Sequence, residues 1–373
     1  MARKNLVLPT KIALAVIGML AVIAAGNVLA KDDPRGASVL GPEIVDAMKV
    51  LPGGLTALPE VPIPADNPQS PAKIELGKRL FFERRLSGDF STSCSSCHDP
   101  GKAFTDALPR SKGINGVLLR RNSPTVLNAA FNTAQFWDGR AATLDEQCKG
   151  PLLSPAEMNM ADEKQVVERL NAIPEYRRDF QAVFGAGPSL DNVARAVAAF
   201  ERTLVTPNAP FDLYMAGNKK ALSDQEKRGL IVFFGRGACS ECHKGANFTD
   251  NLYHNLGSVT VKGNPDDLGR FEITRKEEDR GAFKTPSIRN ATLTAPYMHD
   301  GSSATLEDVV EFYDRGGGDG PNKDKLIYKL NLTADEKSDL VAFLKTLTGT
   351  LPHVEAPQMY ADARGSKRGG KRR

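Results

Sequence analysis

The chain has 373 residues, 41% of them hydrophobic and 25% charged. That length supports two domains with their own cores, and that balance excludes a disordered chain or a bundle of membrane spans. The formal charge of +4 sits at the ends: three basic groups in the first thirty residues and a net +5 from Ala356 onward leave −4 for residues 31 to 355. Nothing in the pattern marks a nucleic-acid module.

In chain order, residues 1–30 read as a secretory signal. Arg3, Lys4 and Lys11 make a basic start, an apolar run follows from Ile12 to about Ala25, and Val28-Leu29-Ala30 offers a cleavage site. The alternative is an uncleaved N-terminal anchor, because the run approaches spanning length. Either way the rest is exported, and the expected location is the periplasm. Residues 31–70 are Pro/Gly-rich and predict an extended lead-in with one short helix near Glu43 to Val50.

Two compact, mainly α units follow, over 71–210 and 211–352, with Thr206-Pro207-Asn208-Ala209-Pro210 as the join. Val193, Val197, Phe200 and Leu204 form one helical stripe; Leu340, Phe343, Leu344 and Leu347 form another. Thr143-x-x-Glu146, Ser223-x-x-Glu226 and Thr333-x-x-Glu336 are capping-box signals. Strand signals are short, around Ser258 to Lys262. From 353 to 373 a basic, Gly-rich segment predicts a disordered tail, which solubilises the chain or meets anionic lipid or an acidic partner.

The two units look like an internal duplication. Leu80-Phe81-Phe82, Cys94-Ser95-Ser96-Cys97-His98 and Phe104-Thr105-Asp106 recur in order as Val232-Phe233-Phe234, Cys239-Ser240-Glu241-Cys242-His243 and Phe248-Thr249-Asp250. Ser123 to Asn128 echoes Thr285 to Asn290, and Asp138-Gly139 with Thr143-Leu144 matches Asp300-Gly301 with Thr305-Leu306 at the same offsets. Each copy is expected to fold around one cofactor.

Cys-x-x-Cys-His is the attachment motif for haem c: two thiols three positions apart add to the vinyl groups, and the adjacent histidine lies under the iron. A thioredoxin-type disulfide would need a βαβ context, which is missing. A zinc ribbon would not repeat a histidine directly after each pair. Cys94, Cys97 and His98 are therefore expected to hold one haem c, and Cys239, Cys242 and His243 a second. Cys148 is left over and reads as a buried small apolar residue with some oxidation sensitivity.

The runs Arg121 to Asn128, Gln135-Phe136-Trp137-Asp138-Gly139-Arg140, Gln147, Pro155-Ala156-Glu157-Met158 and Ala295-Pro296-Tyr297-Met298-His299-Asp300-Gly301 resemble the bacterial dihaem cytochrome c peroxidases and MauG proteins, over nearly everything from Leu76 to Gly349. The resemblance implies two cytochrome c-like domains with a peroxide-reacting N-terminal haem and an electron-transfer C-terminal haem. It implies that His98 and His243 are the proximal ligands and that Trp137 relays electrons between the haems. Glu157 becomes the distal acid and Gln147 a distal polar partner for peroxide. A calcium ion is implied between the domains, held by the Asn122 side chain and the carbonyls of Thr294 and Pro296. Hydrogen peroxide is then reduced to water with electrons from a small cytochrome c or cupredoxin, and a homodimer is compatible with this.

Two departures stand out. Many members carry a histidine in the loop after the first haem motif that caps the first iron. Here Ser111-Lys112-Gly113-Ile114-Asn115-Gly116 has none, and no histidine lies between His98 and His243. The first haem is expected to be open even when oxidised. The distal ligand of the second haem, commonly methionine, falls on Tyr313, as in MauG. A helix from Thr305 puts Tyr313 on one face with Leu306, Val309 and Val310. Met298 is the competing ligand. These features suggest, as alternatives, a MauG-like enzyme that uses a high-valent dihaem state to oxidise a partner protein, or a plain electron-transfer cytochrome. Against the MauG match, Arg236-Gly237-Ala238 precedes the second motif where a surface tryptophan would stand. Of the other polar residues, His254 is expected to support the second pocket and His299 the Asp300-Gly301 turn or a propionate. His353 is expected near the tail. Arg120, Arg121, Arg140 and Arg289 are candidate propionate partners.

Overall fold

The computed structural model describes residues 54–257 and 267–361. The signal, the helix expected at Glu43 to Val50, the strand signal at Ser258 to Lys262 and residues 362–373 lie outside the described residues. The fold is mainly helical. α1 (Pro71–Phe81) starts at Ser70, whose hydroxyl accepts from Lys73 N, with Pro71 preset for the first turn. α2 is the single turn Cys94–Cys97. α3 (Leu144–Leu153), α4 (Glu163–Asn171), α5 (Pro174–Phe184) and α6 (Leu190–Glu201) complete the first helical group. α7 (Pro210–Met215), α8 (Asp224–Phe234), α9 (Phe271–Thr274), α10 (Leu306–Asp314) and α11 (Ala334–Lys345) make the second. The one sheet among the described residues is β1 (Tyr253–His254) antiparallel to β2 (Phe283–Lys284). The boxes at Ser223 and Thr333 close fully. At Thr143 the box is only half made, because Glu146 reaches past it to Ala142 N.

Each helical group has one tight crossing set by a glycine. α1 crosses α6 at Gly77, where a Cβ would lie 1.8 Å from Ala196 O and 3.0 Å from Phe200 Cβ. α8 crosses α11 at Gly229 in the same way, 1.9 Å from Asp339 O and 2.7 Å from Phe343 Cβ. Backbone-to-backbone approach lets Leu80, Phe81 and Phe200 interlock in the first core and Leu230, Phe233 and Phe343 in the second. The predicted stripes are the buried faces of α6 and α11, continued just past their ends by the buried Leu204 and Leu347.

The join at Thr206 is a shared hydrogen-bond centre. Asn128 and Asn290, both left-handed (φ 59° and 61°), donate to the one Thr206 hydroxyl at 2.7 and 2.8 Å. The described segments before α1 and after α11 both cross between the two groups, which the sequence reading did not foresee. Leu55, in the lead-in, is buried in the second core, while Asn67 and Gln69 bond to α6 in the first. The expectation of a disordered tail from 353 is corrected for its first part. Residues 353–361 return to the first group, where Tyr360 stacks edge-on to Tyr176 (4.9 Å), lies under Arg79 and hydrogen-bonds Asp179. Arg85 binds its carbonyl at 3.0 Å. An aromatic ring placed against a half-open core holds the strap despite its polar neighbours.

Gly229→Ala is expected to lower stability by about 1–3 kcal/mol, since the added methyl must push α8 off α11. Thermal unfolding of the haem-loaded protein followed by helical circular dichroism measures it.

Candidate functional site

The site is built on two matching turns. After α2 the chain reverses through Ala103 and Phe104, both at positive φ (51° and 59°), and Phe104 O comes back to accept from His98 Nδ1 at 3.2 Å. In the second group Ala238 (φ 50°) opens the Cys239–Glu241 turn, and Phe248 (φ 52°) turns its carbonyl to His243 Nδ1 at 3.0 Å. A bond at Nδ1 fixes the tautomer and leaves Nε2 as the free, ligating nitrogen. Burial pulls both imidazoles below their ordinary pKa, against the carbonyl bonds, so both are neutral, the form that binds a metal.

Both motifs open into one cavity of about 790 Å³. Cys94, Cys97 and His98 line it at one end, and Cys239, Cys242 and His243 at the other. The four thiols are free, and burial pushes those of Cys94, Cys97 and Cys239 up to about 12. Two thiols facing a large, mostly hydrophobic space beside a neutral imidazole with one free nitrogen fit a covalently held haem at each end.

At the first end, Gln147 on α3 and Glu157 just beyond it line the cavity. Burial raises the Glu157 carboxyl above its ordinary pKa, with Arg140 and Ser154 pulling the other way. Its backbone is pinned, because Glu157 O accepts from Ile114 N at 2.9 Å. A Cβ at Gly113 would lie 1.8 Å from Ala156 O, so the 111–116 loop lies flat on this segment. Cys148 is buried, as expected, and burial pushes its thiol well up, so it is not a reactive thiolate.

At the second end, Tyr313 on α10 lines the cavity, and its hydroxyl makes no hydrogen bond among the described residues. Burial pushes its phenol up, with the sulfurs of Cys242 and Cys239 adding to the shift. Met298, at φ 73°, also lines the cavity. Trp137 also lines the cavity and touches both groups, its carbonyl accepting from Lys284 N at 2.7 Å. Its Nε1 donates to Asn122 O at 3.0 Å, and its ring meets His299 edge-on at 6.5 Å, which in turn stacks on Phe283 at 3.7 Å. Asn122, Thr294 and Pro296 are all on the cavity wall. Asn122 Nδ2 is spent on Leu108 O (2.8 Å), which leaves its Oδ1 as an acceptor.

All four of the arginines proposed for propionates have carboxylate partners in the protein. Arg121 forms a bidentate pair with Asp267 (2.7 and 2.8 Å) and a third bond to Asp138 (2.6 Å). Arg289 is fully buried on Asp212. Arg140 pairs with Asp138 and stacks 3.4 Å over Phe136. Arg120 pairs with Glu272 at 2.7 Å. The Arg121–Asp267 pair ties the two helical groups together beside Trp137, and Arg270 adds bonds to the carbonyls of Asp138 and Gly139. His254 is held between Asp250 (3.1 Å) and Asp324 (2.6 Å), and the Asp250 bond leads in raising it to about 11, so it stands as an imidazolium. Cys242, Asp250 and His254 could together hold a metal ion by distance, but Cys242 belongs to the haem motif. His353 is exposed. The sequence reading missed Glu201, which lines the first end at 4% exposure, and Lys284, a buried amine on the wall. Glu201 falls four residues after Val197 on the buried face of α6, and a carboxylate on an apolar stripe was the available signal.

A family model described as di-haem cytochrome c peroxidase matches residues 71–220. The cytochrome c551 peroxidase of Pseudomonas aeruginosa is 41% identical over 331 residues, which span 86% of this chain and 89% of that protein. The chain belongs to the dihaem cytochrome c peroxidase family. The methylamine utilization protein MauG of Methylorubrum extorquens is 41% identical over 301 residues, covering 80% and 84%. Among solved structures, a MauG-like protein associated with microbial copper homeostasis superposes with a TM-score of 0.73 at 37% identity, over 78% of this chain and 93% of that one. The dihaem peroxidase BthA of Burkholderia thailandensis gives 0.67 at 26% identity, over 82% and 94%. This member of the dihaem peroxidase family is thus a peroxidase-type oxidoreductase, and a dihaem family implies one haem c for each of its two motifs. No helix among the described residues is long and apolar enough to cross a membrane.

Removing one partner of the buried clasp leaves the other charge stranded, so Asp267→Ala is expected to cost about 3 kcal/mol. Burial alone would raise Asp267, but the Arg121 bonds outweigh it and hold the carboxyl below its ordinary value. In the parent protein the pair therefore stabilises above the ordinary carboxylate range and is lost as the pH falls through the depressed value. Chemical denaturation across acid pH measures both, and the variant should lack that acid-side decline.

Proposed function

We propose that this protein reduces hydrogen peroxide to water at its N-terminal haem, with electrons from a small cytochrome c or cupredoxin entering at the C-terminal haem. The observation that carries this is a protonatable Glu157 carboxyl on the wall of a cavity whose neighbouring loop offers no capping side chain. Within 111–116 only Ser111 and Gly113 reach the wall. When bound, the two haems supply the iron that meets peroxide and the electrons that reduce it. His98 and His243 would hold the irons through Nε2, and the four cysteines would hold the porphyrins. Glu157 takes a proton from one peroxide oxygen and returns it to the other, the double duty that a carboxyl of raised pKa can perform. Gln147 orients the peroxide. Trp137 would be the electron relay, supported by its place on the cavity wall in contact with both groups. Tyr313 would be a further protein ligand to the second iron, supported by its unbonded hydroxyl beside Cys239 and Cys242.

Further features belong to this reading. One haem domain spans 71–210 and the other 211–352, related by internal duplication; the recurring glycine crossings and histidine–phenylalanine bonds support it. A calcium ion would sit on Asn122 Oδ1 and the carbonyls of Thr294 and Pro296, neither of which accepts a backbone hydrogen bond among the described residues. The signal-like start supports export to the periplasm. Tyr313 also favours a second reading, a MauG-like oxidation of residues in a partner protein.

The oxidised protein is expected to give a high-spin ferric signal from the first haem in electron paramagnetic resonance without prior reduction, and Tyr313→Phe to alter the spectrum of the second haem alone. Two low-spin centres inert to peroxide would overturn the open-site reading. Glu157→Gln is expected to slow steady-state peroxide turnover by about 10²- to 10⁴-fold at unchanged haem content. Negligible turnover by the parent protein, with oxidation of a protein target instead, would select the second reading.

A further inference from the structure

Reducing one hydrogen peroxide to two waters consumes two electrons and two protons. Glu157 moves a proton from one oxygen to the other but adds none, so a buried site needs a separate supply. The described residues contain four buried side-chain polar atoms without a hydrogen-bond partner, and three of them belong to one neighbourhood around the end of α6: Gln69 Oε1, Glu201 Oε2 and Arg202 Nη1. Orphaned buried polar atoms of this kind are satisfied by bound water. Glu201 lines the cavity itself. It acts electrostatically on Cys94, as Glu157 also does, so the two carboxyls serve the same end of the cavity. Gln69 is tied to the helix by Nε2 to Ala199 O at 2.8 Å. Arg202 reaches Asp145 at 2.6 Å, and Asp145 also accepts from Asn67 at 2.6 Å. The Asp145 side chain is 21% exposed, the outer end of this polar file.

We propose that Glu201 is the inner station of a proton-entry route that runs from Asp145, at the surface, past Gln69 and Arg202 to the peroxide end of the cavity. The proposal rests on the peroxide reading above and deepens it. The Glu201 carboxyl gives its O–H proton through cavity water to the Glu157 carboxylate. Glu201 is then reprotonated from the Asp145 side, and two such transfers accompany the two electrons. Burial raises the Glu201 carboxyl to about 8, with Arg202 lowering it and Asp145 raising it, so it is loaded with a proton at neutral pH. The groups facing it are Arg202 on its own helix segment, Asp145 and Cys148 on α3, and Cys94 on α2. Lys73, on α1, shares the field of Arg202 and Asp145.

The test uses the haem-loaded protein reduced at both haems, which then holds the two electrons one peroxide needs. It is mixed with hydrogen peroxide in a stopped-flow instrument with a pH indicator. The parent protein is expected to reoxidise with uptake of protons from the medium. Glu201→Gln, with haem content and oxidised spectrum unchanged, is expected to reoxidise roughly tenfold or more slowly, to lose the alkaline limb of the pH profile, and to be partly rescued by added formate buffer. Reoxidation within about twofold of the parent with an unaltered pH profile overturns the route while leaving the peroxide reading intact. A parent protein that peroxide does not reoxidise removes the peroxide reading and the route together. Should Glu201→Gln lose haem, Asp145→Asn interrupts the file at its outer end. A slowed, pH-shifted reaction there supports the route, and a normal one overturns it.

Discussion

The bond from each motif histidine to the phenylalanine carbonyl a few residues on is the constraint from which the rest of the site follows. An imidazole free to rotate would offer either nitrogen to a metal. Tied at Nδ1 to Phe104 O or Phe248 O, it offers only Nε2. That bond requires the chain to double back within six residues, which it does through backbone at positive φ. The returning phenylalanine then drops its ring into the core below, where Phe104 meets Phe81 and Phe248 meets Phe233. The rings pack because α1 and α8 approach α6 and α11 at a glycine. Helix crossing, ring packing, carbonyl position and imidazole orientation are thus one mechanical chain, made twice.

Making it twice is useful only if both histidines face the same space, and that depends on what holds the two groups together. The Thr206 hydroxyl takes both asparagines, so the join cannot shift without breaking one or the other. The Arg121–Asp267 pair adds a clasp beside Trp137. The two crossing segments, Leu55 in the second core and Tyr360 on the first, add apolar burial from outside the motif-bearing regions. Hydrophobic burial supplies attraction without direction, while the asparagine and arginine bonds supply direction.

Much of this was legible in the sequence because the signals are local. The haem motifs, the α6 and α11 stripes and the boxes at Ser223 and Thr333 depend on residues close in the chain. What was not legible depends on distant partners. Arg121 looked like a propionate ligand because its acid, Asp267, lies far along the chain. His254 gave no sign of its bracket because Asp324 is seventy residues away. The strap from 353 reads as tail by composition, yet the single ring of Tyr360 finds Tyr176 and outweighs that composition. At Thr143, Glu146 had a nearer backbone donor in Ala142, a competition that spacing alone does not reveal.

The cavity wall carries the last step. Burial raises the acids Glu157, Glu201 and Tyr313 and lowers the bases His98, His243 and Lys284, the last to about 8. These shifts have one source, a poorly solvated interior that disfavours every charge without a partner. Where charge does persist it is paired across two carboxylates, as at His254 and Arg121. For the proposed peroxide chemistry the same burial acts on two carboxyls, Glu157 and Glu201, and Glu201 is the one beside Arg202, whose bond to the part-exposed Asp145 leads toward the surface.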